Sequence, residues 1–440
     1  MVDQSPKGKP LTVPASRLAR LSRFGTMTAG IAGGVAWRGA RAYAGGARPD
    51  WQGLLLTPDN LRRVADELAR MRGAAMKVGQ LVSMDAGDVL PPELAEIMGR
   101  LRAEADYMPP KQLRGALDSA WGPGWTGRFE RFDVRPLAAA SIGQVHRARA
   151  RGGRDLAIKV QYPGVRRSID SDVENVAALI RWAGLAPPGM DLRPLLEEAK
   201  RQLHEEADYA REGRQLARFG ALLAGDENYA VPRLADDLTT RDVLAMSFEP
   251  GVAVERLSDS EQSERDRIVL LLLELLFREM FEFGVMQTDP NFANYRWDAE
   301  RRRLVLLDFG ATRAFPETVT EGYRDLLRAG IEGDARDISR AALRLGFFAE
   351  DTAAHHKRAV VEMTGIAFGA LRHRGPFDFG NADMVLHLRD RAMEMSADRT
   401  FVHVPPTDVF YLQRKFAGLY LLARRLGARV DVGAIAARWL

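Results

Sequence analysis

The sequence predicts an α+β fold of two lobes: a small strand-rich N-terminal lobe and a larger helical C-terminal lobe, with a helical extension in front. Three observations predict it. Apolar and polar residues alternate from Phe129 to Gln161, the period of strands. Before and after that stretch they recur every three or four residues, the period of helices. Between two helical regions lies Asp289–Gly310, where Asp289, Asn294 and Asp308 stand at loop and strand-end positions around the apolar run Leu304-Val305-Leu306-Leu307.

The chain has 440 residues, more than one ordinary domain needs, and 46% of them are hydrophobic, enough for a large core. The absence of cysteine excludes disulfides and thiolate metal sites. A formal charge of +4, mostly carried by arginine, does not call for nucleic acid. No apolar run reaches the ~18 residues of a spanning helix. No ordinary secretory signal and no fixed-period repeat is present.

Residues 1–48 stand apart from the rest. Lys7, Lys9, Arg17, Arg20, Arg23, Arg38, Arg41 and Arg48 face one acid, Asp3, and flank an apolar, glycine-rich segment. Such a segment suits an anionic membrane surface; a disordered basic tail or a transit peptide is the plainer alternative. Residues 49–128 read as a helical extension. Thr57-Pro58-Asp59 is a helix start, and the amphipathic run behind it contains Lys77-Val78-Gly79-Gln80. By itself that lysine reads as a solvated charge.

Residues 129–250 read as a strand lobe with a helical insertion. Leu156-Ala157-Ile158-Lys159 matches the strand that carries the phosphate-binding lysine of protein kinases. The loop before it should be rich in glycine. Here the frame reads Ala138-Ala139-Ala140-Ser141-Ile142-Gly143-Gln144-Val145, with alanine at the first two glycine positions. A Cβ there restricts the backbone where it should approach phosphate. The charged helical run that follows contains Glu206, Asp208 and Glu212. Most acids in such a run are solvated, but Glu212 suits Lys159 as an ion-pair partner. Residues 228–251 read as two strands ending at a hinge, Met246-Ser247-Phe248-Glu249, where Met246 and Phe248 would meet adenine through their backbone.

Residues 251–440 read as the helical lobe. Asp289, on a loop, would orient or deprotonate the acceptor of a phosphoryl group. Asn294 and the Asp308 of Asp-Phe-Gly would hold Mg²⁺, a hard cation that takes oxygen ligands. An Asp-Phe-Gly alone is common; joined to the Asp…Asn pair and the Lys159 strand it is specific. No Ala-Pro-Glu follows, so the substrate-docking segment of protein kinases is not expected. The histidines lack metal-ligand spacing. From residue 317 on, no further motif is recognised.

Together KVGQ, AAASIGQVH, AIKVQYPGV, EADYAREG, MQTDPNFAN and LLDFG resemble the UbiB/AarF family of atypical kinase-like proteins. The MQTDPN form resembles the coenzyme Q biosynthesis ATPase branch. The resemblance implies a bilobal protein-kinase-like fold and ATP with Mg²⁺ as cofactors. It implies ATP hydrolysis coupled to ubiquinone biosynthesis at a membrane, with protein kinase activity suppressed. Lys159 and Glu212 would form the ion pair, with Asp289 as the catalytic-loop carboxylate and Asn294 and Asp308 on the metal. Lys77 and Gln80 would reach the site from the extension, near Glu206 and Asp208. The implied partners are ATP and ADP, membrane lipids, quinone precursors and ubiquinone-biosynthesis proteins, with a homodimer allowed. The expected location is the cytoplasmic face of a bacterial inner membrane, or the matrix side of the mitochondrial one. An active protein or small-molecule kinase and a nucleotide-gated scaffold are the competing readings.

Overall fold

The structure, a computed structural model, describes residues 107–182, 193–381, 384–397 and 405–440, together with Tyr43, 73–75, 77 and 78. The segment 1–48, apart from Tyr43, and most of 49–106 lie outside the described residues, as does Gln80.

The described chain divides into two compact units. The first takes in residues up to Gly213 together with Leu234–Phe248, and the second Arg214–Arg233 together with Glu249–Leu440.

In the first unit, β1 (Phe129–Phe132), β3 (Gly143–Ala150), β4 (Asp155–Gln161) and β6 (Val243–Ser247) form an antiparallel sheet in that order, with β2 (Ala138–Ala139) paired to β3. A tight turn joins two of its strands: Gly152 and Gly153, both at positive φ, turn β3 back into β4. Helix α1 (Pro110–Trp121) starts on a proline whose missing N–H costs nothing in the first turn. Its Leu113, Leu117 and Trp121, four residues apart, bury one face against Phe129, Ile158 and Val243 of the sheet. The Trp121 indole N–H donates to the Leu238 carbonyl at 2.8 Å. Helices α2 (Val165–Trp182) and α3 (Arg193–Glu206) follow, and then α4 (Tyr209–Leu222), within which the chain passes from the first unit to the second.

A buried polar chain ties the end of the extension to this sheet. The Met108 amide donates to Gln144 Oε1 at 2.8 Å, so Gln144 Nε2 must donate to His146 Nε2, also at 2.8 Å. That leaves His146 Nδ1–H for the Asp133 carbonyl, at 2.8 Å, and fixes a neutral ring. Burial pulls the His146 pKa down from 6.5 to about 4. The unfolded chain therefore binds a proton that the folded one refuses. The contribution of His146 to stability is complete above pH 6.5 and is lost as pH falls towards 4, by about 3 kcal/mol in all. Urea unfolding at pH 7, 5.5 and 4 should show a shallower acid loss in His146→Gln than in the parent. Equal slopes would mean that His146 does not carry it.

In the second unit, β5 (Tyr229–Ala230), β10 (Arg303–Leu306), β9 (Tyr295–Asp298) and β7 (Val252–Ala253) form one sheet, with β5 parallel to β10. The two strands expected across 228–251 thus separate: β6 completes the first sheet, whereas β5 pairs with the strand that leads to Asp308. The chain enters the second unit for good at Glu249, and residues 214–233 also pack with that unit. Short strands β8 (Val285–Gln287) and β11 (Thr312–Ala314) pair antiparallel.

Helix α5 (Gln262–Phe281) is buried along most of its length from Ile268 to Met280, as its apolar sequence demands. The rest is helical: α6 (Glu317–Glu332), α7 (Ala335–Arg344), α8 (Ala354–Ala367), α9 (Gly369–Arg372), α10 (Met384–Ala397), α11 (Thr407–Leu426) and α12 (Val432–Ala436). A small β12–β13 ladder (Phe377–Asp378 with Arg429–Val430) interrupts the all-helical tail expected after residue 317. Among the described residues, no helix is long and apolar enough to cross a membrane.

Candidate functional site

The first unit carries one half of the expected chemistry. Lys159 points from β4, in register between Val145 and Leu244 of the neighbouring strands. Its ammonium donates to both carboxylate oxygens of Glu212, each at 2.9 Å. The pair is buried, with Lys159 8% and Glu212 1% exposed. The Tyr209 ring, which sequence reading did not single out, stands 5.0 Å from the Lys159 ammonium. Tyr209 lies one helical turn before Glu212, so one face of α4 presents both groups.

The alanine-rich loop is a tight hairpin. Ala138 and Ala139 pair with Val145 and Gln144, and the Ala140 amide donates to the Gly143 carbonyl at 2.8 Å. Ser141 and Ile142 form its tip. Gly143 is glycine for a packing reason: a Cβ there would lie 2.5 Å from the Tyr209 hydroxyl and 2.6 Å from the Val160 carbonyl oxygen. Gly143→Ala should cost about 1–3 kcal/mol through this overlap, with nucleotide binding impaired because Tyr209 is displaced beneath Lys159. Melting with and without Mg-ATP checks both; an unaltered melting temperature would show that the hairpin gives way freely.

The extension reaches this hairpin. A side chain at Gly73 would meet Ile142 at 2.8 Å. Four residues on, Lys77 is buried, 6% exposed, and its ammonium pairs with Glu206. Lys77 is therefore no solvated surface charge. Asp208 has a different partner: its carboxylate accepts the Arg211 amide at 2.9 Å and caps the start of α4. At the expected hinge, Met246 is paired with Ala157 and bridged to Leu234. The Phe248 amide donates to the Asp155 carbonyl at 3.0 Å, and Arg147 covers its ring at 4.3 Å. That amide is spent on the sheet, so an adenine contact cannot come from the Phe248 N–H without breaking the ladder.

The second unit carries the other half. Asp289, Asn294 and Asp308 are tied together by the backbone around them. Asn294 Nδ2 donates to Asp289 Oδ2 at 3.2 Å, and the Asn294 carbonyl accepts the Leu307 amide, next to Asp308, at 3.0 Å. Thr288 donates from both its amide and its hydroxyl to the Ala311 carbonyl, at 3.2 and 2.7 Å. The loop carrying Asp289 and the turn carrying Asp308 are thereby fixed to each other. Asp308 accepts the Gly310 amide at 3.0 Å, and Phe309 is buried against Phe219 at 4.9 Å.

The donor set fits Mg²⁺. With Asn294 Nδ2 directed at Asp289, Asn294 offers its amide oxygen and Asp308 its carboxylate, both hard oxygen donors. Among the described residues no cluster of three or more His, Cys, Asp or Glu side chains forms a metal cage of its own.

Helix α11 supplies residues that the sequence reading missed. Arg414 Nη2 donates to Asp289 Oδ1 at 3.3 Å, and Lys415 is fully buried beside it. Arg313, just past the Asp-Phe-Gly, lies 4.3 Å over the Tyr411 ring and pairs with Asp408 at 3.5 Å. A signal existed: Tyr411, Lys415, Leu419 and Leu422 make an apolar helical stripe that contains one cation.

Residues 100–342 match the ABC1 atypical kinase-like domain. The atypical kinase coq-8, mitochondrial, of Caenorhabditis elegans is 36% identical over 433 residues, 96% of this chain and 57% of that protein. The atypical kinase COQ8, mitochondrial, of Saccharomyces cerevisiae is 35% identical, over 96% of this chain and 84% of that protein. In fold, the chain is similar to Rv3197 of Mycobacterium tuberculosis, solved as an erythromycin complex, with a TM-score of 0.59 and 22% identity over 85% of this chain and 93% of that one. The kinase-like α+β fold expected from the sequence is the one found, and the chain belongs to the ABC1 atypical kinase-like family.

Proposed function

We propose that this protein binds Mg-ATP and hydrolyses it in support of ubiquinone biosynthesis at a membrane. The observation that supports this reading best is the Asp289–Asn294 hydrogen bond together with the Asn294–Leu307 backbone tie. It holds an acceptor-orienting carboxylate in fixed relation to two hard oxygen donors. Lys159, clamped by Glu212, contacts the phosphates. Asn294 Oδ1 and Asp308 would hold the metal, which when bound would supply positive charge to the phosphate oxygens. Asp289, held by Asn294 and Arg414, orients the attacking water and accepts its proton. The alanines at 138 and 140 and the buried Lys77–Glu206 pair favour hydrolysis over transfer to a peptide.

The membrane part of the reading rests on the basic, apolar segment 1–48. Its charges contribute on the order of 1 kcal/mol each at an anionic surface. Deleting 1–48 should leave a folded protein with weaker flotation on anionic liposomes; equal flotation would place the membrane surface elsewhere. The relatives' names point to a mitochondrial setting.

ATP turnover by the purified protein, with and without anionic liposomes and a quinone-precursor mimic, tests the function. Phosphate release that rises with both additions supports it. Label transfer to protein or small molecule would instead make it a kinase. Binding without turnover would make it a scaffold.

A further inference from the structure

A buried cation on α11 holds both ends of the loop that carries Asp289 and Asn294. Lys415 and Glu279 are each 1% exposed. The Lys415 ammonium donates to the Gln287 carbonyl at 2.6 Å and to the Tyr295 hydroxyl at 2.8 Å, and lies 3.3 Å from the Glu279 carboxylate. Glu279, on α5, accepts the Gln287 amide at 3.1 Å. Gln287 is the last residue of β8 and Tyr295 the first of β9, so the loop 288–294 runs between two residues bound to one ammonium. One turn along α11, Gly418 lies against Pro290 so closely that a Cβ would collide with it.

Stability alone does not explain this arrangement. Removing two charges from water costs several kcal/mol per ion, and a well-packed apolar pair of similar volume is often as stable or more so. An apolar side chain, however, cannot donate to a carbonyl and a phenol in fixed directions while pairing with a carboxylate, as an ammonium does. Burial pulls the Lys415 pKa down, but Glu279 and Tyr295 more than offset it and hold it above the ordinary lysine value. The group stays protonated and keeps all three donors.

We infer that Lys415 is a positioning residue for the phosphoryl-transfer loop, setting Asp289 and Asn294 in place through Gln287 and Tyr295 without touching nucleotide or metal. The inference rests on the reading of that loop given under the proposed function.

Lys415→Met alone strands Glu279 as an uncompensated buried charge, so a failure to fold would not by itself test the loop. Lys415→Met combined with Glu279→Gln removes both charges and keeps the acceptor for the Gln287 amide. In that double variant the loop 288–294 amides should exchange about 10-fold faster or more, while those of α5 and β10 keep the parent rates. ATP turnover should show kcat lower by about 10- to 100-fold, with KM within about 3-fold of the parent, the signature of a misplaced reacting group. A folded double variant with parental loop exchange and parental kcat overturns the inference. So does one that fails to fold, since the pair would then serve global stability. If the parent itself hydrolyses no ATP, the functional reading fails, and the exchange measurement still decides whether Lys415 positions the loop.

Discussion

Asp308→Asn should abolish Mg²⁺-dependent nucleotide binding and lower ATP turnover by on the order of 10²- to 10³-fold, the loss typical of removing one fixed electrostatic group from a reacting centre. Only a charge is removed, because asparagine is nearly isosteric with aspartate and its amide oxygen can still accept the Gly310 amide that Asp308 accepts at 3.0 Å. Phe309 remains buried against Phe219, so the turn has no reason to move. The fold should therefore survive, with a melting temperature close to that of the parent. What disappears is the rise in that temperature on adding Mg-ATP, since a ligand stabilises only in proportion to its binding to the folded state. An undiminished rise in the variant would remove Asp308 from the metal and refute the assignment.

Glu212→Ala should have the largest effect on stability. It leaves the Lys159 ammonium buried without the two 2.9 Å bonds it now makes. Breaking a buried pair from one side costs about 3–5 kcal/mol. The Tyr209 face, 5.0 Å away, offsets only part of this. Replacing both members, Lys159→Met with Glu212→Leu, should recover most of the stability without recovering nucleotide binding, because the phosphates lose their cation. Urea unfolding separates the two variants, and the Mg-ATP melting shift shows that neither binds normally. If Glu212→Ala is as stable as the parent and turns over ATP at the same rate, the pair is incidental to both.

The tie between Asp289 and Asp308 has a functional corollary. The turn after Asp-Phe-Gly is held through Thr288–Ala311 and Arg313–Tyr411 rather than by a long docking segment. Arg313, Arg414 and Lys415 all bear on α11 or arise from it. This helix thereby bears on both the loop that carries Asp289 and the turn after Asp-Phe-Gly.

Much of this was legible in the sequence, because the relevant information is local. Lys159 in an alternating apolar run, Asp289 and Asn294 five residues apart, and Asp308 after four apolar residues each announce their element by spacing alone. The hairpin of Ala138–Val145 and the turn at Gly152-Gly153 follow in the same way from period and turn chemistry. Lys159 and Glu212 were matched by motif order, yet only folding brings their atoms to 2.9 Å. Lys77 by itself reads as a solvated charge and by resemblance as lying near Glu206; the fold pairs its buried ammonium with Glu206. Asp208 was expected near Lys77 and Phe248 to meet adenine through its backbone; only the fold shows that the Asp208 carboxylate caps α4 and that the Phe248 amide donates to the Asp155 carbonyl. Residues 228–251 read as two strands ending at a hinge, but their partners were not legible: β5 pairs with β10, over seventy residues away. Arg414 and Lys415 stood in a stretch with no motif, and their acceptors lie 125 and 128 residues earlier. Sequence by itself determined the elements, the order of the chemistry and the class of reaction, since those depend on neighbours along the chain. Tertiary structure decided which polar group each charge is spent on, because a buried donor or acceptor takes whatever partner packing brings within 3 Å.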